Sequence, residues 1–379
     1  MSNLRVAYVI NDAAFFVSHR LPLAIKVLEL GGEVCLITGY NVNKEIEENA
    51  IKQLIKINIK HFQCSFSQSM RNPITEILGL FQLIFFLKKF KPTTIHAATA
   101  KGNLMASIAC NFIHKVKLVL SVSGAGTLFT GKKSFYKVLF KTIYKFCFRM
   151  ALMKITYAII FQNKDDYNNY KSIIKFSDEQ AKIIGGSGVD TSKLKPLLKK
   201  TSTRNILLPA RMIYEKGIAE FVGASRILKQ ENVKGNFYLA GNAESANPSA
   251  ISIKKLAKWS AEGLIVYKGH QYDLHKMYED IDIVCLPSWR EGFPKVLMEA
   301  ASLGLPVITT NVPGCRDAVI DKKTAIIVPV NDEVKLAFAI KKLLENHNLR
   351  LKLGKASREL ALRKFDLNVI VPQIIQLYI

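Results

Sequence analysis

The chain has 379 residues, of which 49% are hydrophobic and 22% are charged. This composition is typical of a globular protein with a large apolar core, and it argues against a disordered, collagen-like or disulfide-stapled chain. The charge is unusual, because 54 basic residues stand against 30 acidic ones and give a net charge of +24. The excess predicts attraction to polyanions, which include nucleic acids, anionic lipid headgroups and phosphorylated ligands.

The cysteines and the apolar segments indicate in which cellular compartment the protein is located. Six cysteines are scattered along the chain without a Cys-x-x-Cys pair, so we expect reduced thiols and no zinc site. Residues 1–5 lead directly into a strand-like segment and show no signal-peptide pattern. The apolar stretches 77–87 and 151–161 are too short or too interrupted to span a bilayer, which needs about 20 apolar residues. The sequence therefore predicts a cytoplasmic protein.

The first part of the chain alternates short apolar runs with longer segments of helical period. A strand is predicted at 6–10, a helix at 21–30, and a second strand at 34–38. Further strands are predicted at 94–96, 117–122 and 158–161. Strands that alternate with helices are typical of right-handed βαβ units and a parallel sheet.

The pattern breaks at 193–204, a basic segment that contains a proline and no apolar periodicity, and it restarts afterwards with a final helical stretch. The later strands are predicted at 206–209, 237–240, 265–267, 283–286, 307–309 and 325–328. We therefore predict two doubly wound α/β domains, 1–195 and 196–360, and a C-terminal helix, 361–379, that packs back toward the first domain. Ligands of such sheets bind beyond the carboxyl ends of the strands, so we expect the ligands between the domains.

Positive charge is concentrated in the first half of the chain. Residues 1–200 carry 29 basic and 12 acidic residues, whereas residues 201–379 carry 25 and 18. Between Glu76 and Asp165 there is no acidic residue at all, although 14 Lys or Arg residues occur there. The first domain is thus predicted to carry the stronger positive potential.

The segment that follows the predicted strand 283–286 has the chemistry of a nucleotide-sugar site. Pro294 suits the start of a helix, whose free N–H groups and positive dipole attract an anion such as a diphosphate. Glu291 precedes this helix and Glu299 lies within it, and both carboxylates suit sugar hydroxyls as hydrogen-bond acceptors. The alternative is that one glutamate caps the helix and the other lies on the surface.

Basic residues and a glycine follow two other predicted strands. Arg211 and Lys216 come shortly after 206–209, where they would neutralise a diphosphate and stabilise its charge as it leaves. Gly241 follows 237–240, and a glycine there permits close approach of the backbone to a ligand. The alternative for the two basic residues is an ordinary solvated loop.

Together these segments resemble the donor half of the family 4 glycosyltransferases, which have the GT-B fold, two Rossmann-like domains facing across a cleft. The Glu-x7-Glu element in its Pro-Ser-x-x-Glu-Gly-Phe-Pro context and the stretch 312–319 carry the resemblance most strongly. It implies transfer of a sugar from a nucleotide-diphosphate sugar with retention of anomeric configuration and without an obligatory metal. By motif position it implies catalytic roles for Arg211, Lys216 and Glu291. The donor-binding residues implied in the same way are Gly241, Glu291, Gly292, Phe293, Pro294 and Glu299.

The N-terminal half is similar to a bacterial subgroup of this family that builds O-antigens, capsules and related glycans. The similarity lies in a Phe-Phe-x-Ser-His-Arg motif and in two glycine-containing segments, 99–103 and 122–131. The acceptor-side residues that it implies are Phe16, Ser18, His19, Arg20, Lys101, Gly124 and Gly126. The alternatives are that His19 and Arg20 cap a helix and that the glycines form an ordinary turn.

One position departs from the family pattern. Many members carry His-x-His after the strand that here ends near His96, and their second histidine contacts the donor sugar. This chain has alanine there, Ala98, so the motif does not identify a general base in the N-terminal domain. His96 itself is explained equally well as a core residue.

A basic and aromatic segment, 132–154, is the candidate membrane-facing element. Its basic residues recur at every fourth position, as expected for one face of a helix. These residues are Lys133, Lys137, Lys141, Lys145 and Arg149. A helix of this kind can lie on an anionic membrane, although a solvated helix face explains the pattern as well.

The sequence therefore predicts a metal-independent glycosyltransferase, peripheral on the inner face of a bacterial plasma membrane, with no cofactor and no nucleic acid partner. It would move a hexose or N-acetylhexosamine from a nucleotide-diphosphate sugar, most simply a UDP-sugar, to a polyprenyl-diphosphate-linked glycan. One alternative is a GT-B sugar-nucleotide epimerase, which needs no acceptor. The other is a non-catalytic polyanion-binding protein, which only the charge suggests.

Overall fold

The structure is a computed structural model that describes residues 4–40, 43–67, 73–124, 135–153, 155–196, 203–243 and 247–379. The chain divides into two compact units. The first comprises Met1–Ser187 together with Ile370–Ile379, and the second comprises Gly188–Val369. The chain thus enters the second unit eight residues before the predicted boundary at 195, and the predicted C-terminal segment is divided between the two units.

Within the described ranges, the first unit contains a seven-stranded parallel sheet in the order β3-β2-β1-β4-β5-β6-β7. Its strands are β1 (Arg5–Ile10), β2 (Glu33–Tyr40), β3 (Lys60–Ser67), β4 (Thr94–Ala98), β5 (Lys117–Val122), β6 (Tyr157–Phe161) and β7 (Ala181–Ile183). Its connecting helices are α1 (Ala13–His19), α2 (Leu21–Glu29), α3 (Lys44–Lys56), α4 (Pro73–Phe90), α5 (Ala100–Cys110), α6 (Phe135–Leu152) and α7 (Lys164–Lys171).

The second unit repeats the plan with a six-stranded parallel sheet in the order β10-β9-β8-β11-β12-β13. Its strands are β8 (Asn205–Pro209), β9 (Asn236–Ala240), β10 (Val266–Tyr267), β11 (Ile283–Leu286), β12 (Val307–Thr310) and β13 (Ala325–Val328). Its helices are α8 (Ile218–Gln230), α9 (Ile253–Ala261), α10 (Leu274–Tyr278), α11 (Lys295–Ser302), α12 (Glu333–Glu345) and α13 (His347–Leu360). The last helix, α14 (Leu367–Ile375), begins in the second unit and ends in the first. The predicted pair of doubly wound α/β domains is confirmed.

The central strands are short apolar runs because helices cover both faces of each sheet. Every residue of β4, β6 and β8 is buried. In the second unit, one face of the sheet packs on a core that includes Phe221 and Ile340, and the other packs on a core that includes Leu297 and Met298. Both sheets are therefore interior layers whose side chains leave room for ligands only at the strand ends.

The last residues of the chain lie against the first unit. The Tyr378 hydroxyl is hydrogen-bonded to the Tyr8 hydroxyl at 3.2 Å and to Nδ1 of His96 at 2.5 Å. Thr94 donates its hydroxyl to the Tyr378 carbonyl at 3.1 Å. The end of the chain thus covers β1 and β4 on one face of the first sheet.

None of the helices that the structure describes is long and apolar enough to cross a bilayer.

Candidate active site

The charged residues predicted for the donor site follow strands that are neighbours in the second sheet. From β8 the chain continues to β9 on one side, and β11 lies on the other, so the connections diverge between β8 and β11. Such a switch point at the carboxyl ends of parallel strands is where ligands of open α/β sheets bind. Arg211 and Lys216 come after β8, and Glu291 comes after β11.

Lys216 and Glu291 are in direct contact. The Lys216 ammonium lies 2.5 Å from Oε1 of Glu291, and the two side chains are only 18% and 11% exposed. Because water is largely excluded around the pair, the attraction is less screened than in a surface ion pair. Arg211 lies on the same loop and is exposed to solvent.

The carboxylate of Glu291 is held in place by the serine of its own Pro-Ser-x-x-Glu motif and by a threonine of β12. The Ser288 hydroxyl donates to Oε1 of Glu291 at 2.8 Å, and the Thr310 hydroxyl donates to the Ser288 carbonyl. The buried thiol of Cys315 lies close enough to feel the same carboxylate. Burial raises the pKa of Cys315 to about 12, with the charge of Glu291 acting in the same direction, so this thiol stays neutral.

Two glycines let the loops of this site pack closely. Gly217 has a φ of +73°, and a Cβ there would collide with the carbonyl oxygen of Pro287. Gly241 has a φ of +145°, and a Cβ there would collide with the Ala210 carbonyl. The Gly241 N–H donates to Gly269 and its carbonyl accepts from Tyr267. The need for glycine at 241 therefore arises from the protein's own backbone.

The helix that carries the second glutamate is α11. Pro294 occupies its N-cap position, one residue before the helix begins, and no side chain caps this end. Phe293 is buried and packs edge-on against Phe365, with ring centroids 5.7 Å apart. The Phe293 side chain is thus a core residue, whereas the helix end after Pro294 remains suited to an anion.

Glu299 is buried within α11 with partners of its own. The Tyr278 hydroxyl donates to Oε2 of Glu299 at 3.2 Å, and the Lys295 ammonium lies 3.8 Å from Oε1. Burial raises the pKa of Tyr278 well above its ordinary value, and the charge of Glu299 adds to the shift, so the phenol remains a donor. A carboxylate has about four acceptor sites, so Glu299 retains capacity for a ligand hydroxyl.

A further layer of polar contacts ties the loop after β11 to the loop after β8. The Trp289 indole donates to Oε1 of Glu220 at 3.0 Å, and its backbone N–H donates to the Glu215 carbonyl at 2.9 Å. The Ser249 hydroxyl donates to Oε1 of Glu215 at 2.7 Å. No spacing rule relates these residues, and only the position of Trp289 within the Pro-Ser-x-x-Glu context hinted at a role.

No group of three or more His, Cys, Asp or Glu side chains that could hold a metal ion occurs among the described residues. The sequence does contain one Asp-x-Asp triplet, Asp280-Ile281-Asp282. It immediately precedes β11, where Oδ2 of Asp282 accepts from the backbone N–H of Arg204 at 2.6 Å and from the Thr203 hydroxyl at 3.1 Å. The triplet thus lies at the amino end of the strands, opposite to Glu291.

In the first unit, the switch point lies between β1 and β4. The Thr99 hydroxyl donates to Oδ1 of Asn11 at 2.8 Å and joins the loops that follow these two strands. Thr99 has a φ of +72°, an uncommon conformation for a β-branched residue. Lys101, predicted on the acceptor side, is buried and forms a 2.8 Å ion pair with Glu76.

The Phe-Phe-x-Ser-His-Arg motif spans the junction of α1 and α2. Phe16 is fully buried and packs edge-on against Tyr8, so it contributes to the core and not to an accessible surface. Ser18 is hydrogen-bonded to the His19 ring, which stacks on Phe15 with centroids 4.4 Å apart. Arg20 is also buried, and its Nη1 donates to the His19 carbonyl at 3.0 Å.

His96 is a core residue with both ring nitrogens engaged. Nδ1 contacts Tyr378, and Nε2 is hydrogen-bonded to the Ser121 hydroxyl at 2.7 Å. Burial lowers the pKa of His96 well below its ordinary value, and the positive charge of Arg20 lowers it further. Of the two predicted glycines nearby, Gly124 has a φ of +95°, whereas Gly126 lies outside the described residues.

The predicted basic ladder is only partly described. Lys133 and the side chains of Lys137 and Lys141 lie outside the described residues. Nε of Arg149 donates to the Ile173 carbonyl at 2.6 Å, and Lys145 is half-buried. Large apolar side chains are also exposed on the described part of α6, namely Ile143, Phe146 and Met150.

Comparison with known families identifies the class of this protein. Residues 190–360 match the model of the glycosyl transferases group 1, and residues 5–163 match the glycosyl transferase 4-like model. The two matches cover most of both units. The chain therefore belongs to the family 4-like, group 1 glycosyltransferases, as the motifs predicted.

Individual relatives agree with this assignment. The chain is 24% identical to the Campylobacter jejuni N,N'-diacetylbacillosaminyl-diphospho-undecaprenol alpha-1,3-N-acetylgalactosaminyltransferase, over 99% of this chain and 98% of that one. It is 23% identical to the Escherichia coli UDP-Gal:alpha-D-GlcNAc-diphosphoundecaprenol alpha-1,3-galactosyltransferase, over 81% and 80% of the two chains. Among solved structures, Anabaena HepE in complex with UDP superposes with a TM-score of 0.76 at 15% identity, over 98% of this chain and 99% of that one. The fold is GT-B.

Proposed function

We propose that this glycosyltransferase moves a hexose or N-acetylhexosamine from a UDP-sugar to a glycan linked to a polyprenyl diphosphate, with retention of anomeric configuration. The observation that carries the proposal is the shielded contact of Lys216 with Glu291 at the switch point of the second sheet. In this pair, Lys216 is the cation that would stabilise the leaving diphosphate, and Glu291 is the carboxylate that would accept hydrogen bonds from sugar hydroxyls. The acceptor class is supported by the two relatives whose names include diphospho-undecaprenol or diphosphoundecaprenol.

The donor would be bound through charge and hydrogen bonds of the second unit. An ammonium has three donors on a flexible stem, so Lys216 can contact Glu291 and a phosphate oxygen together. Arg211, exposed on the same loop, would pair with the diphosphate, and the uncapped end of α11 would stabilise the same charge. Glu291 would orient the donor sugar, and Glu299 would accept from a ribose hydroxyl.

These groups would act most strongly while the glycosidic bond breaks. As the bond to the diphosphate lengthens, negative charge grows on the leaving oxygen, and cations already in position stabilise it without reorganising. This is how we infer that the enzyme works without an obligatory metal. His96 would not serve as a general base, because both of its ring nitrogens are engaged in the core.

The first experiment is an assay of a panel of nucleotide sugars with synthetic polyprenyl-diphosphate-linked saccharides. We expect transfer from a UDP-sugar, activity that persists in EDTA, and a product with the anomeric configuration of the donor by NMR. An inverted product would overturn the assignment of retention. Consumption of the nucleotide sugar to an epimer without any acceptor would overturn the transferase assignment.

We further propose that the enzyme works while bound to the anionic inner face of the plasma membrane, through α4 and α6. At about 100° per residue, five large apolar side chains of α4 fall within an arc of about 100° and point away from the core. These residues are Ile74, Ile77, Leu78, Phe81 and Phe85, all at least 49% exposed.

Charge supports a lipid partner for this surface. Exposed lysines follow the apolar arc of α4 at positions 88, 89 and 91, and no acidic residue occurs from there to Lys164. An apolar face flanked by cations is the pattern of helices that lie in a membrane interface. The exposed apolar residues of α6 would extend the same surface, with Lys133, Lys137, Lys141, Lys145 and Arg149 of that helix as the proposed basic contribution.

A further inference from the structure

A tryptophan beside the donor site makes two contacts that the motif does not specify. Trp289 occupies one of the two open positions of Pro-Ser-x-x-Glu, and its side chain is 38% exposed. Its indole Nε1 nevertheless donates to Oε1 of Glu220 at 3.0 Å, and its backbone N–H donates to the Glu215 carbonyl at 2.9 Å. One residue of the loop after β11 thus binds the segment after β8 at a point before Lys216 and at a point after it.

The carboxylate of Glu220 depends on the indole for its hydrogen bonding. Oε2 of Glu220 is shielded from solvent and has no hydrogen-bond partner, and within the described ranges no other group donates to Oε1. Glu220 lies in the first turn of α8, where the helix dipole favours a negative charge. Because a shielded carboxylate oxygen is costly to leave without a donor, the indole N–H has a strong reason to stay in contact with it.

Two further contacts restrain the segment that carries Lys216. Gly217 has a positive φ, and a Cβ there would collide with the carbonyl oxygen of Pro287, so the two loops approach as closely as their backbones allow. The Ser249 hydroxyl donates to Oε1 of Glu215 at 2.7 Å. The backbone is therefore held on both sides of Lys216.

Lys216 is the residue that gains most from such restraint. Its ammonium lies at the end of a flexible stem, which loses rotamer entropy when the ammonium is fixed. The contact with Glu291 restrains the ammonium, but the position of the stem depends on the backbone. A cation stabilises a leaving diphosphate most when it is already in place before the bond breaks. Restraint of the backbone at Lys216 meets this requirement.

We propose that Trp289 is a positioning residue, whose hydrogen bond to Glu220 holds the backbone of Lys216 so that the ammonium meets the diphosphate of the donor. The proposal rests on the function proposed above and adds a residue that acts only through Lys216. The alternative is that the indole joins two loops and contributes only to stability. The two differ in their consequences for binding of a diphosphate, because only a positioning role requires Lys216.

The first test measures binding of UDP and of uridine by calorimetry, without any acceptor. Trp289→Phe keeps an aromatic ring and the backbone N–H but lacks the indole donor. We expect this variant to bind UDP about tenfold more weakly and to bind uridine, which has no diphosphate, as the wild type does. Glu220→Ala should behave in the same way. Glu220→Gln retains an acceptor oxygen for the indole and should bind UDP like the wild type.

A double-mutant comparison shows whether the effect passes through Lys216. In the Lys216→Ala background, Trp289→Phe or Glu220→Ala should change the affinity for UDP by less than about twofold, because the group that the indole positions is absent. Equal losses in both backgrounds would overturn the proposal. So would unchanged UDP affinity in both single variants, even if their melting temperatures fell. Arg226→Ala removes an exposed hydrogen bond to Glu262 from the same helix and is the control, which should bind UDP like the wild type.

The second test observes the contact itself by fluorescence. In Trp259→Phe, Trp289 is the only tryptophan of the chain. Adding Glu220→Ala to this variant should shift the emission to longer wavelength, because the released indole is more hydrated, and adding Glu220→Gln should not. The same emission in all three proteins would show that the indole does not bind Glu220 in solution, and the proposal would be wrong.

The third test uses the transfer reaction. Trp289→Phe should lower kcat about tenfold and change KM for the nucleotide sugar much less, because the charge on the diphosphate grows as the bond breaks. A rise in KM that exceeds the fall in kcat would contradict positioning of the cation for the leaving group. If no acceptor supports transfer but Trp289→Phe still weakens UDP binding only when Lys216 is present, the proposed function fails and the positioning role stands.

Discussion

The two units share one architecture but treat buried charge differently. In the second unit, cations and anions at the switch point contact each other, as in the pair of Lys216 with Glu291. In the first unit, the buried guanidinium of Arg20 has neutral groups beside it, namely Tyr8, Tyr378 and the His19 carbonyl. Charge at this end of the second sheet is thus balanced within the protein, whereas no carboxylate of the described residues pairs with Arg20.

The exposed surfaces of the two units also differ. The first unit exposes Phe81 and Phe85 on α4, at 66% and 61%, within an apolar arc that ends in lysines. The second unit also exposes an aromatic residue, Phe338 on α12, but acidic residues are more frequent in that part of the chain. Because its acceptor is proposed to be anchored in lipid, the first unit is the one that gains from lying on the bilayer.

The most severe test of the comparison is removal of a donor-site cation. Lys216→Ala or Arg211→Ala should lower kcat by on the order of 100-fold or more, because charge on the leaving diphosphate loses its stabilisation. The melting temperature should change little by comparison. As a control, Lys341→Ala removes an exposed lysine that pairs with Glu231 on the same unit. If kcat of Lys216→Ala and of Arg211→Ala stayed close to that of the wild type, the role of these cations would be contradicted.

The second prediction addresses the membrane surface of the first unit. Replacing Phe81 and Phe85 together by Glu should reduce partitioning onto anionic vesicles by about 100-fold, since each partly buried phenylalanine contributes about 1.5 kcal/mol. Sedimentation with vesicles measures the partitioning, and UDP binding should be unaffected. Phe338→Glu is the matched control on the second unit and should sediment like the wild type. Equal sedimentation of all three proteins would show that α4 does not face the membrane.

The third prediction concerns the buried carboxylate of α11. Glu299→Ala should weaken UDP binding by about 1.5–3 kcal/mol, the value of a charged hydrogen bond to a ribose hydroxyl. Tyr278→Phe is the control, because it removes the internal donor to Glu299 but leaves the carboxylate for the ligand. Calorimetric titration with UDP checks both variants. An unchanged affinity in Glu299→Ala would rule out the ribose contact.

Much of the fold was predictable, because buried parallel strands are continuous apolar runs. Such runs are recognised by their length and by the glycines and prolines that end them. The two strands that the pattern missed lack this signal. β3 mixes lysine, histidine and glutamine with its apolar residues, and β7 has three residues of which two are exposed. Edge strands need fewer apolar side chains, so periodicity alone does not find them.

The site was predictable in its parts but not in its contacts. The spacing of Glu291 and Glu299 marked both carboxylates, and Ser288 stood in the same motif as Glu291. The partner of Glu299, Tyr278, comes from packing that no motif records. Arg20 stood in a motif, but its burial depends in part on Tyr378 reaching its neighbours from the far end of the chain. Contacts across such separations follow from the whole fold and not from local sequence.

The smallest predicted effect is a difference in acid sensitivity between the units. Because the pKa of folded His96 lies well below 6.5, the native state stays unprotonated where the unfolded chain already binds a proton. The contribution of neutral His96 to the unfolding free energy should therefore be fully present above pH 6.5. At lower pH the unfolding free energy should decrease by up to about 1.4 kcal/mol per pH unit. His96→Gln should flatten this slope, whereas His275→Gln, an exposed histidine of the second unit, should not.

The two units can be followed separately in this experiment. Trp259 and Trp289, the two tryptophans of the chain, both lie in the second unit, so tryptophan fluorescence reports on that unit. Far-ultraviolet circular dichroism reports on both. Between pH 7.5 and 5.5 the urea midpoint should shift more by circular dichroism than by fluorescence, because neutral His96 and its hydrogen-bond partners belong to the first unit. If both probes gave the same shift, and His96→Gln shifted as much as the wild type, His96 would not determine the acid response.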